Sequence, residues 1–591
     1  MRIWQSFRKA NRELFKNWPT YLITIWGSSA VVILAATLLL THFTNWLLKV
    51  SQIPYLSYSD LGQLLSHNFW VALILLGELI LLLYLIYGQF AFVLIISDQL
   101  QCLQFRRINS TLHQTFKRLK STSPLVFLIF ISNFIIILPP ASLLLSTPLI
   151  NKLKIPGPIL DFLLQNPPYA VIVGILYLIL CYLALRLSLM LPLILLKQLS
   201  WRQAGQVSWQ KTKKQFGRFL GELMLIVSFS LLLTVIFDSI IYLLQSWLDT
   251  TSIALNSVIV NLFLIELFAE IITCYLVAMI SQLLVKNITT STHQPTFGPP
   301  AFYKWLVVLL VLAGVTGLVT NQLLLLKQLT FSRPLTISHR GVDNGNGVQN
   351  TIPALKHTSQ EKPDYVEIDI QQTKDQQFVV LHDDNLKTLA GLNKSPHQLT
   401  LQQLTQITVR ENGHQAKLAS FDDYLAAAKA LNQKLLIEIK ATPTDSKDMT
   451  AIFIRRYQKQ ILKNHHLVQT LSYPVVTQLK QQAPQLFVSF ILPYNLTLPV
   501  TKANAYTMEA TTLNAKFIRH AQQQKQQVYA WTVNKPQQMD HMMFIGAKAI
   551  ITDQLHGLKQ QIKRNRRQPN YASLLRSLMV PVTSSEANKT N

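Results

Sequence analysis

Two histidines in the C-terminal part of the sequence end short β-rich runs. His339 is followed directly by Arg340 and Gly341, and His382 is followed by Asp383. Histidine can move a proton near neutral pH, a guanidinium can bind phosphate oxygens through two N–H groups, and glycine lets the backbone turn close to a ligand. A lone histidine is more often a surface or core residue. Two histidines that both end candidate strands indicate an active site, because barrel active sites lie at the C-terminal ends of strands.

Acidic residues spaced two apart form a second candidate group. Glu367 and Asp369 lie on one candidate strand, and Glu438 and Lys440 lie on another. Because side chains alternate along a strand, the members of each pair share a face. Two inward-facing carboxylates repel each other unless a cation neutralises them, and a hard cation with oxygen ligands does this well. Glu438 could be a third ligand and Lys440 could neutralise phosphate. The alternatives are a solvent-facing strand edge and a buried structural ion pair.

The ligand types restrict the metal. Carboxylates as the only ligands favour Ca²⁺ or Mg²⁺ over zinc. All three cysteines lie in the apolar N-terminal half, so the C-terminal half has no thiolate metal site. Trp531 ends a later candidate strand, where it could form a wall of the substrate pocket or pack in the core.

The elements that must position these residues are β-rich runs separated by helical stretches. This alternation over about 230 residues predicts a parallel α/β barrel of the TIM type. Such a barrel has eight strands, so one of the nine candidate runs does not belong to it. The candidate strands cover residues 336–339, 365–370, 378–382, 434–440, 468–473, 486–492, 505–509, 527–533 and 549–552.

The N-terminal half has a different composition. Hydrophobic residues make up 50% of the 591-residue chain and charged residues only 14%, and the apolar residues concentrate before about residue 326. Runs of roughly 20 apolar residues are long enough to cross a bilayer. We therefore predict an α-helical, multi-pass membrane domain of about seven helices. The apolar runs lie near residues 21–41, 70–97, 124–147, 169–196, 219–245, 257–285 and 303–326.

The net charge of +26 has two interpretations. A nucleic-acid-binding protein would carry a basic helix or an aromatic-studded basic strip, and the sequence has neither. Basic cytoplasmic loops explain the charge better. The loops near 98–123 and 197–218 are basic, whereas those near 42–68, 148–167 and 246–256 carry few basic residues. The positive-inside rule then places the N-terminus in the cytoplasm and, after seven spans, the C-terminal half outside the cell membrane.

Six ionisable residues fall within the predicted spans. Charged side chains are costly in lipid, so each should face protein or water. They could line a polar cavity for a headgroup or an ion, or they could hold helices together. These residues are Glu78, Arg186, Glu222, Asp238, Glu266 and Glu270.

The ordered motifs of the C-terminal half resemble those of the glycerophosphodiester phosphodiesterase family. The resemblance covers about residues 335–560, and the N-terminal half resembles, in its layout, the membrane region fused to such enzymes. One departure is Gln349, where the family usually has glutamate before Asn-Thr, which argues against an ionic role at this position. The matching motifs are HRG (339–341), NT (350–351), ExD (367–369), TKD (373–375), HD (382–383), ExK (438–440), WTVN (531–534) and ITD (551–553).

The resemblance implies a division of the chain and an activity. Together with the shift in composition, it predicts a membrane domain at 1–330 and a catalytic barrel at 331–563, and the polar composition predicts a disordered tail at 564–591. The implied activity is that of a phosphoric diester hydrolase, which releases glycerol phosphate and an alcohol from glycerophosphodiesters. An outward-facing catalytic half would also meet polymeric substrates, the glycerol-phosphate wall polymers. One divalent ion, Ca²⁺ or Mg²⁺, would assist. The implied roles are metal binding by Glu367, Asp369 and Glu438, phosphate binding by Arg340 and Lys440, and proton transfer by His339 and His382.

Two other functions remain as alternatives. A phosphatidylinositol-type phospholipase has a similar barrel and histidine pair, but its metal-independent forms lack the ExD and ExK carboxylates. A membrane transporter or sensor whose barrel only binds a ligand would be expected to have degraded catalytic positions, and the core positions here are intact.

Overall fold

The computed structural model describes residues 2–57, 61–102, 108–141, 166–288, 333–493, 497–567 and 570–579. The chain forms two compact units, which divide near residue 325. The N-terminal unit is helical throughout its described elements. Its helices are α1 (Arg2–Lys16), α2 (Trp18–Thr37), α3 (Thr44–Val50), α4 (Leu61–His67), α5 (Phe69–Cys102), α6 (Ile108–Lys120), α7 (Pro124–Ala141), α8 (Pro167–Arg186), α9 (Met190–Lys197), α10 (Trp201–Leu248) and α11 (Ala254–Lys286).

Five helical segments of the described residues are long and apolar enough to span a membrane. A sixth candidate is the pair Ser110–Lys120 and Pro124–Ile137, which is bent by 103°. These helices are those of a multi-pass membrane protein. The predicted seventh run at 303–326 lies outside the described residues, so a count of seven remains a prediction.

Both predicted cytoplasmic loops are largely helical. Within the stretch 98–123, α5 continues to Cys102 and α6 covers Ile108–Lys120. The basic stretch 197–218 is helical from Trp201 onward as part of α10, which runs for 48 residues and is kinked at Gln215. The prediction of loops was wrong for these two stretches because lysine and arginine are good helix formers, so a basic segment next to an apolar span can also be helical.

Two of the six ionisable residues in the predicted spans form ion pairs or hydrogen bonds with other residues of the helical unit. Glu222 on α10 pairs with Arg218 one turn earlier at 3.2 Å and with Lys286 of α11 at 3.3 Å. Arg186 donates a hydrogen bond to the backbone carbonyl of Trp209 at 2.7 Å and lies over its ring. These contacts join helices, which favours a packing role over a ligand cavity at these two positions.

The C-terminal unit is a closed barrel of eight parallel strands. Each strand pairs in parallel with the next, and β1 also pairs with β2 to close the circle. This confirms the predicted TIM-type fold. In spatial order the barrel strands are β1 (Leu335–Ser338), β2 (Tyr365–Gln372), β7 (Leu435–Ile439), β8 (Leu467–Thr470), β9 (Val488–Leu492), β10 (Ala505–Glu509), β11 (Gln527–Trp531) and β12 (Ala549–Thr552).

The ninth candidate strand is not part of the barrel. Strand β3 (Phe378–Val380) pairs antiparallel with the end of β2, and β6 (Ala419–Ser420) pairs antiparallel with β3. Strand β2 continues to Gln372, so the tight turn that follows returns the chain as a hairpin rather than through a crossover helix. A separate hairpin joins β4 (Thr408–Glu411) to β5 (His414–Lys417).

An apolar layer inside the barrel includes Ile337, Leu436, Tyr529 and Ile551, which are all buried.

Helices connect the strands and cover the barrel. The helices of this unit are α12 (Ile352–Gln360), α13 (Lys387–Ala390), α14 (Leu401–Thr405), α15 (Phe421–Ala430), α16 (Met449–Lys463), α17 (Tyr473–Gln482), α18 (Ala515–Gln523), α19 (Pro536–Phe544), α20 (Leu555–Arg567) and α21 (Tyr571–Met579).

The predicted tail after residue 563 is partly ordered, which corrects the expectation. Helix α20 continues to Arg567, and α21 packs against α19. Asp540 of α19 accepts hydrogen bonds from the Asn565 side chain at 2.6 Å and from the Ser573 hydroxyl at 2.8 Å. Polar composition was misleading here because the few apolar residues of α21, among them Leu575, are buried. Residues 580–591 lie outside the described part of the chain.

Candidate active site

The polar site residues follow the apolar layer of the barrel by two positions along each strand. His339 follows Ile337, Glu438 follows Leu436 and Asp553 follows Ile551, so the alternation of side chains keeps them on the inner face. They occupy the C-terminal ends of their strands, which is the face where α/β barrels carry active sites.

Three carboxylates converge inside this end of the barrel. Glu367, Asp369 and Glu438 are buried, and each offers one carboxylate oxygen that lies within 4.8 Å of those of the other two. Asp369 and Glu438 are direct neighbours in the parallel register of β2 and β7. The Gln469 side chain donates hydrogen bonds to Glu367 and Glu438, each at 3.3 Å. Sequence spacing predicted the two pairs, and the strand register brings them together.

Burial and mutual repulsion disfavour the charged forms of these acids. Burial, followed by the charge of Asp369, raises the pKa of Glu438 to about 8. Burial and the charges of the other two carboxylates raise the pKa of Glu367 well above its ordinary value. Such a buried, all-oxygen cluster carries excess negative charge, and a hard divalent cation would relieve it. The donor set therefore fits Ca²⁺ or Mg²⁺.

Arg340 lies directly against this cluster. Its backbone has a positive φ of 51°, and its N–H donates to Glu367 at 2.9 Å. Its guanidinium Nε is 3.9 Å from an oxygen of Asp369. Gly341 follows with a φ of 69°, and a Cβ there would lie 2.9 Å from the hydroxyl of Tyr424, so glycine is required for this turn.

His339 is oriented by an acid from the last barrel strand. Its Nδ1 donates a hydrogen bond to Asp553 at 2.7 Å, which leaves Nε2 available for proton transfer. Asp553 also accepts a hydrogen bond from the side chain of Asn534 at 2.8 Å. Burial alone would raise the pKa of Asp553, but His339 and Asn534 outweigh it and lower the pKa to about 2. The carboxylate therefore stays charged at neutral pH.

His382 reaches the site by a different route from the one predicted. It follows β3, which runs antiparallel to β2, so it does not end a barrel strand. Its Nδ1 donates to Asp383 at 3.0 Å, and this hydrogen bond is the main cause that lowers the pKa of Asp383. The side chain of Gln371 donates to the backbone carbonyls of both residues at 3.0 Å and thereby holds the segment to β2.

Lys440 and Trp531 lie at the same end of the barrel, at strands that are four positions apart in the closed sheet. Lys440 follows β7, and its backbone N–H donates to the carbonyl of Ile370 at 3.1 Å. Its positive charge partly offsets the burial that raises the pKa of Glu438, and it adds to the His382 hydrogen bond in lowering the pKa of Asp383, so Lys440 lies close enough to act on the cluster. Trp531 ends β11, and its indole Nε1 is buried without a hydrogen-bond acceptor among the residues that the structure describes.

Sequence reasoning did not assign several residues of this site. Asp553 was visible within the ITD motif, and its position two residues after Ile551 would have placed it on the inner face. Gln469 could have been found by the same rule on β8. Glu411, which contacts the site through Gln349, gives no signal in the sequence because it lies on a surface hairpin.

Two family models match the chain. The membrane domain of glycerophosphoryl diester phosphodiesterase matches residues 7–325, and the glycerophosphoryl diester phosphodiesterase family matches residues 339–556. A glycerophosphodiester phosphodiesterase of Caldanaerobacter subterraneus is 22% identical over 230 residues, which is 37% of this chain and 94% of that protein. A human lysophospholipase D is 23% identical over 263 residues, covering 36% of this chain and 81% of that protein.

Solved structures are similar to the barrel part of the chain. The Oleispira antarctica phosphodiesterase in complex with the product sn-glycerol-3-phosphate covers 39% of this chain and 97% of its own, with 17% identity and a TM-score of 0.35. A glycerophosphodiester phosphodiesterase from Thermotoga maritima covers 39% and 98%, with 16% identity and a TM-score of 0.32. The model of the membrane domain alone matches more than half of the chain. The chain thus belongs to the glycerophosphodiester phosphodiesterase family of phosphoric diester hydrolases, in the form that carries an N-terminal membrane domain.

Proposed function

We propose that this enzyme is a metal-dependent hydrolase that converts glycerophosphodiesters to glycerol phosphate and an alcohol. The observation that carries the proposal is the meeting of a buried carboxylate triad with the His339-Arg340 segment, where the Arg340 N–H bonds directly to Glu367. A cation-binding group, an anion-binding group and a proton-transfer group thus adjoin one another. This combination suits a negatively charged phosphodiester.

The triad would hold one divalent ion, Ca²⁺ or Mg²⁺. Glu367, Asp369 and Glu438 supply oxygen donors, and Gln469 fixes two of them by hydrogen bonds. When bound, such an ion supplies Lewis-acid polarisation of a phosphoryl oxygen. Arg340 and Lys440 add positive charge that binds and neutralises the phosphodiester.

The two histidines would transfer the protons. One imidazole takes the proton of a neighbouring glycerol hydroxyl, whose oxygen bonds to phosphorus as the bond from phosphorus to the alcohol oxygen breaks. The other imidazole gives that alcohol its proton, and water then opens the cyclic phosphate. Nε2 of His339 is suited to either role because Asp553 holds Nδ1. Trp531 would form one wall of the substrate pocket.

The proposed substrates share a glycerophosphate moiety and differ in the alcohol that is attached to the phosphate. The Oleispira enzyme was solved with sn-glycerol-3-phosphate as product, and a human relative is named a lysophospholipase D. Both names support a glycerophosphate moiety with a variable alcohol. A catalytic unit on the outer side of the cell membrane, which we also propose, would additionally meet glycerol-phosphate wall polymers.

A substrate panel tests the proposal with the full-length enzyme in detergent. The panel holds glycerophosphodiesters that differ only in their alcohol, a glycerol-phosphate polymer and phosphatidylinositol, each assayed with EDTA and with added Ca²⁺ or Mg²⁺. We expect release of glycerol phosphate that requires the ion. Metal-independent cleavage of phosphatidylinositol would instead support the phospholipase alternative. Binding of glycerophosphodiesters without turnover in any condition would support the transporter or sensor.

A further inference from the structure

A chain of hydrogen bonds connects Arg340 to a residue on the β4–β5 hairpin. Nη1 of Arg340 donates to Oε1 of Gln349 at 2.7 Å, and Nε2 of Gln349 donates to Oε1 of Glu411 at 2.7 Å. The backbone N–H of Gln349 donates to the other oxygen of Glu411 at 2.9 Å. The orientation of the Gln349 amide follows from its partners, because a guanidinium only donates and a carboxylate only accepts.

The hairpin holds Glu411 in a fixed place. Its two-residue turn is Asn412-Gly413, with φ of 52° and 75°, a combination typical of a tight type I′ turn. Asn412 donates to the carbonyl of Gly347 at 3.3 Å, and Val409 of β4 is fully buried in a core that also contains Val348. Both contacts anchor the hairpin to the segment immediately before Gln349.

The guanidinium of Arg340 is subject to competing attractions. Its Nε lies 3.9 Å from Asp369, and without a second partner the charge would be drawn toward the triad. Gln349 holds Nη1 instead, and Glu411 strengthens that bond by polarising the amide. Nε of Arg340 is buried with no hydrogen-bond acceptor among the described residues, as expected of a donor that binds a ligand oxygen.

We propose that Glu411 is a positioning residue, which acts through Gln349 to hold Arg340 in the geometry that binds the substrate phosphate. The inference rests on the proposed role of Arg340 in phosphate binding. It makes the tip of a surface hairpin a functional part of the site. The negative charge on this side of Arg340 then comes from Glu411, because the side chain of Gln349 is uncharged.

Exchanging the two side chains tests this relay in the full-length enzyme. In Glu411→Gln, only one oxygen remains for two Gln349 donors, so we expect KM to rise about tenfold with kcat within about twofold. Gln349→Glu places two carboxylates in contact and should be at least as harmful. In the double variant, the carboxylate now at position 349 accepts from Arg340. The amide now at position 411 donates to that carboxylate and still accepts the backbone N–H of residue 349. We expect KM to return to within about threefold of the native value.

Controls separate this inference from the proposed function. Arg410→Ala alters an exposed neighbour on the same hairpin and should leave KM unchanged. In the relay variants, inhibition by sn-glycerol 3-phosphate should weaken as KM rises. Arg340→Ala should raise KM more than any variant of the relay. If Arg340→Ala left KM unchanged, the phosphate role would fail. If Arg340→Ala raised KM but Glu411→Gln matched Arg410→Ala, or the double variant were no better than Gln349→Glu, the relay alone would be refuted.

Discussion

Asp553 and His339 are separated by 214 residues in the chain, yet their side chains meet at 2.7 Å. The meeting results from the parallel register of β1 and β12, in which Ser338 pairs with Thr552 immediately before both residues. Asn534 fixes the other oxygen of Asp553. The acid therefore selects the tautomer and the orientation of the imidazole.

Replacement of Asp553 by asparagine should reduce turnover without loss of the fold. The amide could present its NH₂ group to Nδ1, which favours the wrong tautomer, and we expect kcat to fall about 10²-fold with a small change in KM. Steady-state kinetics measures the split. Asp364→Asn is the matched control, since Asp364 accepts from Thr336 at the opposite end of the barrel. Equal effects on kcat in both variants would contradict a role in orienting His339.

The same acid should contribute to stability in a defined pH range. Its folded pKa of about 2 is below the unfolded value of about 3.9, so it stabilises the folded state above about pH 4 and this contribution is lost as pH falls toward 2. Asp553→Asn should therefore lower the melting temperature at pH 7. Between about pH 4 and 2, the melting temperature of the variant should fall less than that of the native enzyme. Scanning fluorimetry in detergent measures both. If the melting temperature of the variant fell with pH as steeply as that of the native enzyme, Asp553 would not make this contribution to stability.

Each of the two histidines that we propose as proton-transfer residues should be required for turnover. His339→Ala and His382→Ala should retain the native melting temperature within a few degrees and lose about 10²–10⁴-fold in kcat, because general acid–base catalysis contributes this much. His414→Ala, on the exposed hairpin, serves as the control. Near-native turnover at saturating substrate in either variant would exclude that histidine from proton transfer.

Removal of the metal should abolish activity, and a triad variant should weaken metal binding. We expect full loss of turnover in excess EDTA and recovery with Ca²⁺ or Mg²⁺. Glu438→Gln should raise the metal concentration needed for half-maximal rate by at least about tenfold, since it removes one charged ligand. Glu361→Gln, at the end of α12, should leave it unchanged. Unaltered metal affinity in Glu438→Gln would remove that residue from the ligand set.

The catalytic unit should be accessible from outside the cell. This prediction follows from the loop charges and from the predicted final span. Protease added to intact protoplasts should degrade or release the barrel, while a cytoplasmic marker enzyme survives as the control. If the barrel survived until the membrane was opened, the topology would be inverted, and the substrate would be a cytoplasmic product of lipid turnover.

Local sequence patterns determined the class of both units. The apolar runs predicted membrane helices because lipid imposes a length and a composition on each span separately. The strand and helix alternation predicted the barrel, and spacing of two residues placed Glu367 with Asp369 and Glu438 with Lys440 on shared faces. Each of these inferences needs only neighbours in the chain.

The tertiary structure decided which distant groups meet. The antiparallel return of β3, rather than a barrel strand, brings His382 to the rim, and the closure of the barrel between β1 and β12 joins His339 to Asp553. The β4–β5 hairpin brings Glu411 to Gln349 across 62 residues. These contacts depend on strand register and on how a hairpin docks, which are set by packing of the whole unit and leave no periodic signal in the sequence.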